Sequence, residues 1–279
     1  MDAVNAATKR VFDLAWGPLG RLPAWIGLLV LGVVFGVLAL IAMKYTTNPK
    51  RVERFKDRYQ GHILAIKLFR DSFVVVVGSL AKTLAWVGAY LGEQCKPMLL
   101  MLIPFVLLFA QMQMRLGYGP VALGEKVIVS VELAEGRSPM EVRMNLPAGV
   151  EPVGPPVREP ALERFVVQVR ASTPGAHSLG FDLGGETVHK TLVAGDLPGM
   201  PMVSPVRSQG VWDRVLYPGE AAFGAGSAFR RIELRHPVRP IPLFGFDLSF
   251  GSELGMMLWF VVITIAAAFG LKGVFGVTI

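Results

Sequence analysis

Three stretches of this chain run for eighteen residues or more without a charge: Ala24–Met43, Pro97–Met114 and Leu254–Leu271. At about 1.5 Å per residue, a twenty-residue helix is about 30 Å long, the thickness of a hydrocarbon core. The pattern therefore predicts three transmembrane helices, at 23–43, 97–114 and 253–272. Pro104 lies inside the second, where neighbouring helices can satisfy the carbonyl it frees. The first apolar run is too long for a secretory signal and lacks a small-x-small cleavage site before the basic run, so it is expected to be a permanent anchor. Ser72–Gly92 is nearly as apolar but carries Lys82 at its centre, which costs about 2.5–3.5 kcal/mol on insertion scales. It is expected to form an interfacial helix; a fourth crossing is the alternative.

Helical periodicity appears twice more. Within residues 1–22, Val4, Ala7, Val11, Leu14 and Ala15 fall near one face, predicting an amphipathic segment or a frayed leader. Asn48-Pro49 supplies an N-cap followed by a first-turn proline. Val52, Phe55, Tyr59, Ile63, Ile66 and Phe69 then recur at spacings of three and four, one stripe on a helix of about 23 residues. That stripe needs a surface to pack against. With Ser72–Gly92, this predicts a helical hairpin over 44–96.

From Gly124 the period changes to two. Lys126–Leu133, Glu141–Leu146, Arg164–Ala171, His177–Leu183 and Thr187–Val193 read as strands separated by Gly/Pro turns. An immunoglobulin-like β-sandwich over 115–198 is expected, without the disulfide many such domains carry. Residues 199–252 read as a Pro/Gly-rich connector with one short strand, Phe229–Arg235, and a segment Phe244–Phe250 at the membrane interface. The fold class is thus a three-helix membrane protein with a helical hairpin and an inserted all-β sandwich.

Charge gives this arrangement a direction. Of 28 Lys and Arg residues, ten lie between Lys44 and Lys96, with four acids, so the stretch carries +6 of the chain's +7. The excess of positive charge puts residues 44–96 in the cytoplasm, 115–252 outside and the tail 273–279 inside. Residues 115–252 hold 14 basic and 14 acidic residues. Trp25, Tyr118 and Trp259 lie near the expected outer ends of the helices and Tyr45 near an inner end. The mean hydropathy of +0.49 agrees with a membrane location, expected to be a bacterial inner membrane.

Little in the sequence points to covalent chemistry. His62, His177, His189 and His236 are scattered, no paired metal-ligand spacing exists, and Cys95 is the single cysteine. Gly224–Ser227 lacks the lysine of a phosphate loop. Neither catalysis nor a cofactor is expected. The basic face of the hairpin, Lys50, Arg51, Arg54, Lys56 and Arg58, reads as a topology signal, as a docking face for lipid or a protein partner, or as a face for ribosomal RNA; DNA is not expected. Gln111 and Gln113 read either as the polar end of a helix or as a patch facing a groove.

In order and texture, Lys44-Tyr45, Asn48–Arg70 and Pro97–Gln111 resemble the core of the YidC/Oxa/Alb membrane-protein insertase superfamily, in particular its three-helix archaeal and ER-membrane-complex members. The resemblance covers about 70 of 279 residues. It implies a polar groove that lets hydrophilic parts of a client enter the bilayer, and a basic hairpin that recruits clients or ribosomes. Two departures stand out: the expected spans contain no intramembrane Arg, and more than 100 residues precede the last helix where minimal members have a short loop. An insertase-like factor is the first expectation. The alternative is a non-catalytic subunit of a membrane or envelope complex, docking its partners through the sandwich.

Overall fold

The computed structural model describes residues 2–276, with side chains throughout except at 2–8, 11, 15 and 49. The chain divides into two compact units, residues 1–30 with 106–260 and residues 31–105 with 261–279. Among the described residues, three helices are long and apolar enough to cross a membrane: α2 (Ala24–Thr46), α4 (Phe73–Met112, with a π-turn to Gly117) and α6 (Glu253–Phe275). Each contributes residues to both units.

In the unit of 31–105 and 261–279, α3 (Pro49–Leu68) and the first half of α4 form a helical hairpin. Asn48 caps α3, its side-chain oxygen accepting from the Arg51 amide at 3.4 Å, and Phe69 is the C-cap. The expected stripe therefore loses its last member to the turn. The expected boundary at residue 96 coincides with no break: Ser72–Gly92 is not a separate interfacial helix but leads straight into the apolar run after Pro97. Pro97 removes its own amide from the ladder and crowds the Glu93 carbonyl, but the strongly apolar helix formers that follow carry the helix on. Helix α2 meets α6 at Gly36, where an added Cβ would lie 2.9 Å from the Thr264 carbonyl and 3.0 Å from Ala267. This is the close backbone approach that small residues allow between membrane helices.

In the other unit, α1 (Asp2–Leu19) buries Phe12 and Trp16. Of the expected face, Leu14 is exposed, and the side chains of Val4, Ala7, Val11 and Ala15 lie outside the described residues. The β region has strands β1 (Lys126–Leu133), β2 (Arg143–Asn145), β3 (Val150–Pro152), β4 (Val157–Glu159), β5 (Arg164–Ala171), β6 (Gly175–Leu183), β7 (Glu186–Ala194), β8 (Val206–Ser208) and β9 (Phe229–Leu234). One antiparallel sheet has the order β3-β5-β1-β9-β8, with β4 also on β5, and the other β2-β6-β7. Period-two alternation turns Val127, Val129, Val131 and Leu133 inward, with Val129 opposite both Val167 and Leu234. Phe165 of one sheet meets Phe181 of the other edge-on at 6.4 Å, and a single core lies between the sheets. Residues 199–252 are thus more than a connector. They supply β8, α5 (Val211–Leu216), the interior strand β9 and the hairpin β10 (Pro242–Leu243) and β11 (Phe246–Asp247). They also blunt the open edge of β7: Glu220 accepts the Thr191 amide at 2.8 Å and Arg207 donates to the His189 carbonyl at 2.5 Å, an edge closed by side chains rather than by a strand.

Candidate functional site

The hairpin seam is built from heptad-like spacing. On α4, Ser79, Thr83, Trp86, Tyr90, Glu93 and Pro97 follow intervals of four and three and are buried or half-buried. From α3, Val52, Phe55, Tyr59 and Ile66 are half-buried, with Phe55 5.8 Å from Trp86 and Tyr59 6.1 Å from Tyr90, ring centre to ring centre. Ile63 and Phe69, expected on the same stripe, are exposed; His62 and Ala65 are half-buried instead. The half-buried positions 52, 55, 59, 62 and 66 keep the alternating three-four spacing of the α4 seam, which the four-four step to Ile63 leaves.

All five expected basic residues, Lys50, Arg51, Arg54, Lys56 and Arg58, are exposed. Arg58 also stacks over Trp86, 5.6 Å from the ring centre. At the base of the hairpin, Lys50, Arg51 and Lys96 share an open recess with Tyr45, Thr46, Thr47 and Glu93. Glu93 is buried and accepts from Lys96 at 2.5 Å, so the cationic rim retains one internal counter-charge.

A second apolar face was not evident from the sequence. Phe73, Val77, Leu80, Leu84 and Leu91 on α4, at spacings of four, three, four and seven, are all exposed, as are Leu64 and Leu68 of α3. Lys67 and Arg70, which precede this face in the chain, are exposed, while Lys82 is exposed on the opposite side of α4, nine residues from Phe73. A patch of this kind on a hairpin that already has an internal seam marks a contact surface. The sequence signal existed, two apolar stripes on one helix, but it read as generally membrane-like.

The expected polar pair, Gln111 and Gln113, is buried, at 1% and 6% exposure. Gln113 donates to the Tyr118 hydroxyl at 3.1 Å and to the carboxylate of Glu253, the first residue of α6, where a helix N-terminus favours negative charge. Burial, then Glu253, holds the Tyr118 phenol well above its usual range, and burial raises Tyr217 as well. Nearby Arg115, buried in the π-turn, pairs with Asp13 and lies 5.7 and 5.8 Å from the rings of Phe12 and Trp16. The turn directs the Met114 carbonyl to the Val203 amide at 2.7 Å, and the Gly117 carbonyl accepts from the Arg239 amide at 2.9 Å. Gln113 and Arg115 are thus paired within this cluster, whereas the Gln111 side-chain oxygen and Arg115 Nε are buried without a hydrogen-bond partner among the described residues. Sequence reasoning missed the pairing of Gln113 with Glu253 and of Arg115 with Asp13 because the partners are 140 and 102 residues apart.

Among the described residues, no three His, Cys, Asp or Glu side chains are arranged to hold a metal ion. No protein-family model matches this chain, and no curated protein or solved structure is significantly similar to it.

Proposed function

We propose that this chain is an insertase-like membrane protein, distantly related to the YidC/Oxa/Alb superfamily, that aids insertion or assembly of membrane-protein clients. The observation that carries the reading is the doubly apolar, basic hairpin. Its first apolar face closes the α3–α4 seam and its second, Phe73 to Leu91, is left exposed, with exposed Lys67 and Arg70 just before it in the chain. Such a surface suits a segment that is apolar and flanked by acidic groups, or an anionic lipid surface. The hairpin would hold a client near the bilayer and lessen the exposure of its polar groups to hydrocarbon, which costs several kcal/mol for each unsatisfied group.

Three crossings fit the length of α4. Forty residues make about 60 Å of helix, twice a hydrocarbon core, so its charged first half lies beyond the bilayer while the uncharged run from Pro97 crosses once. With the positive charge of 44–96 in the cytoplasm, residues 115–252 are extracytoplasmic in a bacterial inner membrane. Cysteine accessibility tests this, with Cys95 replaced and probes at the exposed positions Ser72 and Glu135. Labelling of both from the same side of sealed vesicles refutes the topology.

The β region has an immunoglobulin-like arrangement in this reading. Pairing of β1 with β5 and of β2-β6-β7 matches the core pairings of that fold, β9 lies where its first strand would, and Val121 pairs parallel to Ala194. Exposed Val211 and Trp212 on α5 favour a second role, docking of a complex subunit, in which the helices serve as anchors.

The test is insertion of a short-tailed client into liposomes carrying the purified protein. A several-fold gain over empty liposomes is expected, lost when Phe73, Val77, Leu80 and Leu84 are replaced by Ser. No gain over empty liposomes overturns the insertase reading. Loss of complex assembly on replacing Trp212, with insertion never detected, favours the scaffold.

A further inference from the structure

Residues 241–252 contain the dipeptide Phe-Gly twice, at 244–245 and 250–251. Each forms the centre of a tight turn with both residues at positive φ: Phe244 at 49° and Gly245 at 86°, Phe250 at 49° and Gly251 at 66°. The first joins β10 to β11 as a two-residue hairpin loop, with Leu243 opposite Phe246. The second is closed by the Ser252 amide donating to the Ser249 carbonyl at 2.9 Å. Positive φ at both central positions is the mark of a type I′ turn, whose first place is filled by Asn, Asp or Gly because a bulky side chain is strained there. This segment puts phenylalanine in that place twice. Neither ring gains packing in return: Phe244 is 92% exposed and Phe250 63%, and Phe246 between them is 76% exposed.

The segment is nevertheless held firmly. Ile241, Leu248 and Ser249 are buried. Asp247, the single charged residue of 241–252, is consumed internally, accepting from the amides of Ile241 at 2.8 Å and Ser249 at 2.9 Å and from the Ser249 hydroxyl at 2.7 Å. The backbone of Leu248–Ser249 lies against the first turn of α6, so closely that a Cβ on Gly255 would fall 2.1 Å from the Ser249 carbonyl oxygen. The three rings are thus fixed at the end of an apolar helix long enough to cross a membrane, on a segment that presents no free charge.

We infer that Phe244, Phe246 and Phe250 form a wedge that enters the lipid interface beside the start of α6. The occupant of this apolar surface is the bilayer itself. The surface is continuous with a membrane-spanning helix, and rings in the headgroup–acyl boundary recover by burial what the two turns lose in backbone strain. The wedge orients the neighbouring β region against the membrane on whichever side that region lies, so the inference does not depend on the proposed function.

The test uses the full chain with Cys95→Ser, reconstituted in phosphatidylcholine–phosphatidylglycerol vesicles, with an environment-sensitive fluorophore on Phe244→Cys, on Phe246→Cys, or on the exposed control Glu135→Cys. The wedge predicts blue-shifted emission at 244 and 246, several-fold stronger quenching by lipids carrying a quencher near the headgroup, and several-fold weaker quenching by aqueous iodide than at 135. Iodide quenching equal to the control overturns the proposal. Protection from both quenchers also overturns it, since that result assigns the rings to a protein partner or a second copy. Unchanged tryptophan emission and thermal midpoint confirm that each labelled protein is folded. Because the two substitutions sit at a strained and an unstrained position, failure of one to fold leaves the other to decide.

Discussion

His236 offers a sharp test of how the β region is joined to the chain that leaves α4. It lies two residues past β9, and its neighbours are locked in place: the Pro237 carbonyl accepts from the Gly119 amide at 2.8 Å, and Val238 bridges to Tyr118. Neither ring nitrogen has a hydrogen-bond partner among the described residues. Burial, reinforced by the positive charge of Lys190, depresses the His236 pKa from 6.5 to about 3. The folded state therefore keeps the ring neutral where the unfolded chain protonates it. Between pH 6.5 and 3 the unfolded state binds more protons, so stability falls as pH falls through that window and is unaffected above it. At pH 5 the deficit is about 1.5 pH units at 1.36 kcal/mol each, about 2 kcal/mol, approaching about 5 kcal/mol below pH 3. For a unit of this size, about 2 kcal/mol lowers the melting temperature by roughly 4–8 °C. The assay is thermal unfolding in detergent at pH 7.5 and pH 5, for the parent and for His236→Gln, where most carboxylates remain ionised and the difference isolates the histidine. A larger melting-temperature drop in the parent than in the variant is expected. Identical pH dependence in the two, or an imidazole titrating near 6.5 by NMR, refutes the reasoning. Lys190→Met removes the nearby charge and should move the His236 pKa upward.

Three further outcomes follow from packing. Lys190 is fully buried, pairs with Glu220 and donates to the Ser204 carbonyl at 2.6 Å, and burial holds its pKa below the usual range; Glu220→Gln should cost about 3–5 kcal/mol in unfolding experiments, while a Lys190→Met, Glu220→Leu pair recovers most of it. Gly36→Leu should destabilise the α2–α6 contact by about 1–3 kcal/mol, read as a lower detergent melting temperature, with Gly36→Ala milder. Asp13→Asn should cost about 1–2 kcal/mol, less than a fully buried pair because Asp13 is half exposed, and protease sensitivity of α1 should rise with it.

The long strands of the β region were legible because inward and outward residues alternate. Lys126–Leu133 and Arg164–Ala171 were read with the bounds they have, and the strands at 175–183 and 186–194 within two residues at each end. The three-residue strands β3, β4 and β8 were not, since Val150–Pro152 and Val157–Glu159 lie among prolines and glycines and acquire strand geometry only by pairing with β5. The interior place of β9 was equally hidden, because nothing local in Phe229–Leu234 says that it pairs with a strand about a hundred residues earlier. In α1, local pattern put Leu14 on the apolar face, but Leu14 is exposed, and Phe12 and Trp16 are buried, with their rings beside the buried guanidinium of Arg115.

The most consequential difference concerns α4. Lys82, Glu93, Lys96 and Pro97 in succession read as the end of one element and the start of another. Each has a local reason not to break the helix. Lys82 is exposed, and Lys96 pairs with Glu93 within one turn, so neither charge is stranded. Pro97 is buried on the hairpin seam, and the ring that cannot donate a hydrogen bond contributes apolar contact there. A continuous helix also changes what the hairpin can do. An interfacial helix joined through a flexible turn could lie on the bilayer without affecting the span that follows. As one continuous helix through Pro97, α4 would pass a load on the exposed face of Phe73, Val77, Leu80 and Leu84 into the residues that follow. A Gly-Gly insertion after Lys96 separates these cases. If rigidity matters, it should reduce client insertion while leaving client binding to the hairpin unchanged; equal insertion by the interrupted helix shows that the two halves act independently.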